Sequence, residues 1–347
     1  MILSVFEIKA IQAEHGDALF VTYGPPHDLR HLLIDGGPAG THANIVEVLE
    51  QSRKNDRLRL EALVVTHYDL DHIQGVIELL NDKPEWLEID DIWFNGHRHL
   101  HDDSDRLGSA EGDTLTTCIT SGKYNWNKAF GERAIHRSRC PVELPGNMTV
   151  YVLSPDVPQL EALAREWTDP RNVPDITDTP EDLLGRKNPW PPGPFSALES
   201  NDDFEADRSV PNGSSIALLL RYDQRCLLLA ADSHAGVVKA GLAHHFPDGV
   251  DVNLLKVSHH GSKANTDRGL LETLGCRRFL ISTSGKGHKH PDNLLIARLL
   301  AAKNLPELFF NYDVDHTARW SDELPMGWPS FDPFYPLETD VFIRVDV

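Results

Sequence analysis

Val64-Val65-Thr66-His67-Tyr68-Asp69-Leu70-Asp71-His72-Ile73-Gln74-Gly75 is the stretch on which the reading of this chain turns. Residues 63–65 form a short apolar run that reads as the end of a buried strand. Four ligand-type side chains, His67, Asp69, Asp71 and His72, then fall within six residues before a helical pattern sets in at Ile73. Imidazole nitrogens suit zinc, iron or manganese, and carboxylate oxygens pull the preference toward harder ions. A solvated loop with chance histidines would account for a single His. His-x-Asp-x-Asp-His directly after an apolar strand points to a metal site.

Outward from that loop, one strand after another runs into polar residues. Residues 5–11 and 18–23 read as a hairpin broken by His15-Gly16-Asp17. Residues 31–34 lead into Asp35-Gly36-Gly37, and a helix is predicted over 43–53. A strand over 89–94 empties into Asn95-Gly96-His97-Arg98-His99-Leu100-His101, where three histidines alternate along what reads as an extended segment. Either that segment is a polar loop facing water or it lines a pocket on the same edge as His67. Apolar strands over 214–222 and 225–231 end in Asp232, ahead of a helix over 235–245. The strand at 252–257 empties into Ser258-His259-His260-Gly261-Ser262. The strand at 278–282 empties into a loop carrying Lys286, His288, Lys289 and His290-Pro291.

In layered α/β folds ligands gather at one set of strand ends, so these clusters are expected to meet. A site for two metals also needs a carboxylate able to bridge them. Asp232, alone at the end of an apolar strand, is the natural candidate; the alternative is that it caps the helix that follows. A strand mouth leaves an imidazole partly unburied, so at least one of His259 and His260 is expected to be a ligand.

Composition narrows the class. The chain has 347 residues, 40% of them hydrophobic, and a formal net charge of −20, which suits one large domain with insertions or two small ones. No apolar run approaches a bilayer span and the start has no basic lead-in, so no membrane partner and a cytoplasmic location are expected. Cys118, Cys140, Cys226 and Cys276 are too scattered for a disulfide framework or a paired-cysteine metal site. Strong acidity argues against a broad phosphate-binding surface, although a local positive site made by metal ions could still take an anion. Residues 169–211 are crowded with Pro, Asp, Glu and Asn and read as an inserted loop or lid.

These residues resemble a known family. His67-x-Asp69-x-Asp71-His72 is similar to the His-x-His-x-Asp-His signature of the metallo-β-lactamase superfamily, with Asp69 in place of the second His. The closer resemblance is to the hydrolase domain of ComEC-type competence proteins. It is carried by His15-Gly16-Asp17-Ala18, Leu33-Ile34-Asp35-Gly36-Gly37, Asn212-Gly213-Ser214-Ser215, the run from Leu254 to Ser262, and His290-Pro291. The resemblance implies an α/β (α+β) fold, a four-layer αββα sandwich of two mixed sheets with helices outside and metals at one edge. A single hydrolase domain over 1–347 is expected, with an insertion or lid at about 97–211 and a C-terminal extension at about 304–347.

It implies roles as well. His67 and Asp69 would serve a first metal, Asp71, His72 and His259 a second, and Asp232 would bridge. Asp35 would support the metal loop from beneath. His260, Asn212 and Lys263 fall in the matching loops as substrate-binding or supporting residues. The superfamily's third His for the first metal is missing, and Asn212 or Ser214 stands there instead. His97, His99, His101 and His136 are the candidates to replace it. The ions expected are one or two divalent cations, zinc first, with manganese or iron as alternatives.

Two such ions sharing a water would deliver hydroxide to an electrophilic centre, so no Ser or Cys nucleophile is required. Asp71 would orient the nucleophile while holding metal, and His290 would protonate the leaving group or bind a substrate oxygen. Lys263, Lys286 and Lys289 read either as phosphate partners or as ordinary solvated lysines. The leading expectation is a hydrolase acting on a phosphodiester, in a nucleotide, a nucleic acid or a small phospho-ester. The alternatives are hydrolysis of an ester, thioester, lactone or lactam, and a non-catalytic module with protein partners, as in a defence system.

Overall fold

Val5–Ile11 (β1) alternates half-buried and buried residues, so Phe6, Ile8 and Ala10 point to one face. It pairs antiparallel with Leu19–Gly24 (β2), which pairs antiparallel with Arg30–Ile34 (β3). Leu58–Val64 (β4) then lies parallel to β3 and carries Leu87–Ile89 (β5) and Ile92–Trp93 (β6) in parallel beside it. The computed structural model describes residues 4–101, 110–167, 188–201, 204–302 and 305–347. The part of the acidic, proline-rich stretch at 168–187 lies outside the described residues.

Among the described residues the second sheet comprises Val142–Leu144 (β7), Met148–Ser154 (β8), Ala217–Tyr222 (β9), Arg225–Leu229 (β10), Leu254–Lys256 (β11), Arg278–Ile281 (β12), Glu307–Phe310 (β13) and Asp332–Phe334 (β14). Its order is β14-β13-β12-β11-β10-β9-β8-β7, and Phe342–Asp346 (β15) joins the first sheet beside β1. Strands β10 to β13 are mutually parallel, so their C-terminal ends open on one edge.

The sheets face each other across a core that draws Phe6, Val21, Ile34, Val64 and Trp93 from the first and Val150, Leu218, Leu229, Leu254 and Leu280 from the second. The outer face of the first sheet is covered by His42–Gln51 (α1) and Leu70–Asn81 (α2). That of the second is covered by the helices Ala235–His245, Arg268–Leu274 and Asn293–Ala302. In α2 the buried stripe is Ile73, Val76, Leu79 and Leu80, whereas the helix Asn293–Ala302 is buried nearly all round. The result is the expected four-layer αββα sandwich.

Two expectations are corrected, and a third segment is placed. The segment at His97–Leu100 is a helical turn (α3), not an extended run of alternating histidines. Asn95 exchanges two hydrogen bonds with the backbone of Ile135, at 2.9 and 2.7 Å, which ends the strand and turns the chain. The stretch at 97–211 is not a lid along its whole length, because β7 and β8 hydrogen-bond into the second sheet. The C-terminal segment at 304–347 supplies β13, β14 and β15, which complete both sheets. No helix among the described residues is long and apolar enough to cross a membrane. Cys118, Cys140, Cys226 and Cys276 are free thiols.

Candidate metal centre

The site is built from the mouths of parallel strands. β3 ends in Asp35, whose left-handed backbone (φ 58°) turns the chain under the His67 loop. α2 then packs backbone to backbone on that turn: Gly36 N–H donates to His72 O at 2.8 Å and Gly75 N–H to Gly37 O at 3.0 Å. A Cβ on Gly75 would lie 1.9 Å from Gly36 O, so only glycine allows this approach. The helix starts at Leu70, earlier than the sequence pattern predicts, and puts Asp71 and His72 in its first turn.

One buried carboxylate fixes both imidazoles of the loop. Asp35 accepts from Thr66 N at 2.7 Å, from Thr66 Oγ1 at 2.8 Å and from His72 Nδ1 at 2.9 Å. With its proton committed to Asp35, Thr66 Oγ1 accepts from His67 Nδ1 at 3.0 Å. Both rings therefore carry their proton on Nδ1 and turn Nε2 inward. The second sheet repeats the arrangement. His260 Nδ1 donates to Ser282 O at 3.2 Å and His259 Nδ1 to Asn265 Oδ1 at 3.0 Å.

The inward atoms converge. Asp232 Oδ2 lies 3.4 Å from His72 Nε2 and 3.6 Å from His260 Nε2. Asp71 Oδ2 lies 3.4 Å from His260 Nε2 and 3.8 Å from His72 Nε2. Four donors around a tetrahedral zinc at 2.0–2.2 Å would stand roughly 3.4 Å apart, which is close to this spacing. Asp17, His72, Asp232 and His260 each also offer one atom, all within 4.8 Å of one another. Asp17 is committed elsewhere, however: it is in a buried ion pair with Lys256 and stands 3.5 Å from the outer nitrogen, Nδ1, of His260. It supports His260 from behind, and Asp71 offers the oxygen on the inner side.

The chemistry of this donor set fits a cation. Nε2 of His67, His72 and His260 and Oδ1 of Asp69 and Asp232 are buried without a hydrogen-bond partner, a costly arrangement unless something charged meets them. Among the described residues the ion-pair neighbours of Asp71 and Asp232 are imidazoles only. Burial works against ionising these carboxylates, but His72 and the other histidines outweigh it and hold both well below their ordinary range. Burial likewise opposes charge on His72 and His260, and the carboxylates, Asp232 first, raise both well above the ordinary imidazole value. The pocket demands positive charge, and a divalent ion would displace these protons.

Two sequence expectations shift. His260, expected as a substrate-binding or supporting residue, is the histidine that faces both Asp71 and Asp232. His259, expected beside Asp71 and His72, stands on another side of Asp232 with Nε2 at 3.7 Å from Oδ2. Successive left-handed residues, φ 48° at His259 and 53° at His260, direct the two rings differently. Asp232 does not occupy the N-cap position of the helix after it, which falls at His234.

The first-metal residues are less gathered. His67 Nε2 lies 3.5 Å from Asp69 Oδ2, and the Asp69 side chain is 29% exposed. His97 stacks on His101 and edges Trp167, and His99 meets Trp126 and Asn127; none of them, nor His136, joins the cluster at His72. Asn212 donates to Asp207 Oδ2 at 2.8 Å. Lys263 contributes its backbone amide, to Asp292 Oδ2 at 2.8 Å, and Lys286 is paired with Glu14. His290 stands at the rim, 5.7 Å from the His259 ring and 5.8 Å from that of His288. Burial, then His259 and His288, depress its pKa well below the ordinary value.

The sequence reading missed Asp207, Asn265 and Lys256. Asp207 Oδ2 accepts from Asn265 Nδ2 at 2.8 Å and lies 3.6 Å from His259 Nδ1. Asn265 also donates to Asp232 O at 3.0 Å, tying the three loops together. Nothing marks Asp207 within an acid-rich stretch. Lys256 did carry a signal, because a lysine inside an apolar strand requires a buried partner.

Residues 13–111, which include Asp17, Asp35 and the His67–His72 loop, match the family model of the metallo-beta-lactamase superfamily. This match supports placing the chain with that superfamily. No curated protein matches the chain. Among solved structures it is similar to the metallo-beta-lactamase fold protein YhfI from Bacillus subtilis, at 12% identity, covering 99% of this chain and 100% of that one, TM-score 0.46. It is similar to a mutant of CmlA beta-hydroxylase at 10% identity, covering 99% of this chain and 54% of that one, TM-score 0.43. It is also similar to MIM-1 from Novosphingobium pentaromativorans at 12% identity, covering 85% and 86% of the two chains, TM-score 0.35. All three likenesses are distant. A buried Asp/His cluster that could hold a divalent ion thus sits in a chain whose N-terminal part matches this superfamily.

Proposed function

We propose that this chain is a metal-dependent hydrolase that cleaves a phosphodiester, in a small phospho-ester or a nucleic acid, with Asp71, His72, Asp232 and His260 holding the principal ion. The observation that carries the reading is the set of inward nitrogen and oxygen atoms, 3.4–3.8 Å apart between neighbours, with their outer atoms hydrogen-bonded. A divalent ion in such a set supplies a Lewis acid and a water acidic enough to ionise near neutrality. Zinc suits the mixed nitrogen and oxygen donors, with manganese or iron as alternatives. His67, Asp69 and His259 would hold a second, weaker ion, with Asp232 shared between the two.

The remaining residues position and bind. Asp35 holds His72 directly and His67 through Thr66. Asp207 and Asn265 hold His259. His290, whose Nδ1 is buried without a hydrogen-bond partner and whose pKa is depressed chiefly by burial, binds a substrate oxygen, a role that suits it better than proton donation. The finer choice of a phosphodiester is supported by the resemblance of the His15–Ala18 and Leu254–Ser262 stretches to ComEC-type hydrolase domains. Four free thiols support a reducing, cytoplasmic setting.

The test loads the purified protein with zinc or manganese and screens bis(p-nitrophenyl) phosphate, single-stranded DNA, cyclic dinucleotides, lactones and thioesters. Metal-dependent phosphodiester cleavage that disappears in His72→Ala is expected. Turnover of acyl substrates alone would move the function to ester or lactone hydrolysis. A wild-type biological effect in His72→Ala would leave a non-catalytic role.

A further inference from the structure

We infer that the cavity between α3 and the segment at 132–139 is a subsite for a non-scissile phosphate of the substrate; this rests on the phosphodiester reading above. The cavity encloses about 380 Å³ and is lined by Arg98, Arg133 and Arg139 together with His99, His101 and Glu132. In a chain with 53 acidic and 33 basic residues, three arginines around one cavity are out of keeping with the surface as a whole. None of the three is within ion-pair distance of a carboxylate among the described residues, whereas Arg30, Arg53, Arg57, Arg59, Arg137 and Arg278 all are. Glu132 is the acidic residue in the lining, and it leaves the cavity with a cationic balance.

Two of the guanidinium groups are held in place by contacts that leave N–H groups to spare. Arg98 lies over the Trp126 ring at 5.0 Å, and Arg139 donates Nε–H to His136 Nε2 at 3.1 Å. His99 Nδ1 and His101 Nε2 are buried without hydrogen-bond partners. Planar guanidinium forks on a preset frame match the oxygens of a phosphate and are poorly satisfied by water alone.

The position fits a substrate that continues beyond the metal centre. β6, which leads into α3, lies parallel to β4, which leads into the His67 loop, with Trp93 opposite Val64. α3 and the His67 loop therefore leave the sheet at the same edge. Trp167 stands between them, its ring 6.1 Å from His97 and 5.0 Å from Tyr68. A phosphate held here would belong to the part of a short nucleotide chain that continues past the cleaved bond.

The test compares metal-loaded wild type, R133E and the double variant R133Q/R139Q. Binding of inorganic phosphate and of a fluorescent thymidine pentanucleotide is measured across salt concentrations, with turnover of the pentanucleotide and of bis(p-nitrophenyl) phosphate. The expected result is a rise of about tenfold or more in the pentanucleotide KM and a shallower salt dependence, with bis(p-nitrophenyl) phosphate turnover within twofold of wild type. Unchanged pentanucleotide KM and salt slope in both variants, with phosphodiester cleavage intact, would overturn the subsite and leave the hydrolase reading standing. If no phosphodiester is cleaved but the variants lose binding of inorganic phosphate, the subsite stands and the hydrolase reading falls. R133E alters an exposed side chain, so it reports even if the double variant folds poorly.

Discussion

His67 and His72 are five residues apart in one loop, yet they sit in different kinds of site. The donors around His72 Nε2 come from three elements: Asp71 on the same helix, Asp232 after β10 and His260 after β11, whose ligand atom lies within 4.8 Å. Around His67 the carboxylate within ion-pair distance among the described residues is Asp69, from the same loop and partly exposed, and the His72 ring lies 4.2 Å away. The first set is closed by the packing of two sheets, so the whole fold specifies its geometry. The second has His67 and Asp69 in one loop, and reaches the other sheet only through the shared Asp232 and through His259 on another side of it. The lesson is that a ligand motif in sequence marks a region, while the metal that will be bound tightly is decided by which distant strand ends reach it.

The largest effect should come from opening the closed set. His72→Ala is expected to lose the tightly bound ion and to reduce hydrolysis by on the order of a thousandfold, beyond the 10–100-fold typical of supporting residues. His67→Ala should keep one ion. Metal content by mass spectrometry, alongside turnover, checks both; equal losses in the two variants would erase the contrast.

Next comes the buried Asp17–Lys256 pair behind His260. Asp17→Asn leaves Lys256 without its counter-charge and should cost about 3–5 kcal/mol of stability. The pH sign follows from Asp17. Burial raises its pKa, but Lys256 and His260 outweigh burial and hold it below the ordinary value of 3.8. The unfolded chain therefore binds the proton first as pH falls. The pair's contribution is fully present above about pH 4 and is lost as pH drops through the lower folded value. Urea unfolding of metal-free protein between pH 3 and 7 tests this, since Asp17→Asn should flatten the acid limb.

A smaller effect is expected from Asp35→Asn. It keeps the shape but weakens the acceptor shared by Thr66 and His72, and metal affinity should fall about 10–100-fold. Because Asp35 reaches His67 only through Thr66, calorimetric titration should show the tighter binding event weakened directly and the weaker one secondarily.

Much of this architecture was legible in the sequence. The alternation in residues 5–11, the apolar runs ending in Asp35, Asp232 and His259-His260, and the helical stripe after His72 each have one low-cost way to bury their apolar faces. The four layers follow from that. Where local and tertiary preferences part, the reading failed. Alternating histidines at 97–101 suggested a strand, but Asn95 is pinned by Ile135 and the chain turns into a helix. The choice between His259 and His260 depends on two successive left-handed residues that composition does not announce. Asp207 is one acid among many until folding sets it against Asn265 and His259.

That choice also offers the most direct test of the central claim. Zinc stoichiometry and affinity should be measured for His259→Ala and His260→Ala side by side. His260→Ala is predicted to lose the tight ion, and His259→Ala to retain it with only the weaker event reduced. Retention of the tight ion in His260→Ala together with its loss in His259→Ala would contradict the proposed set of Asp71, His72, Asp232 and His260.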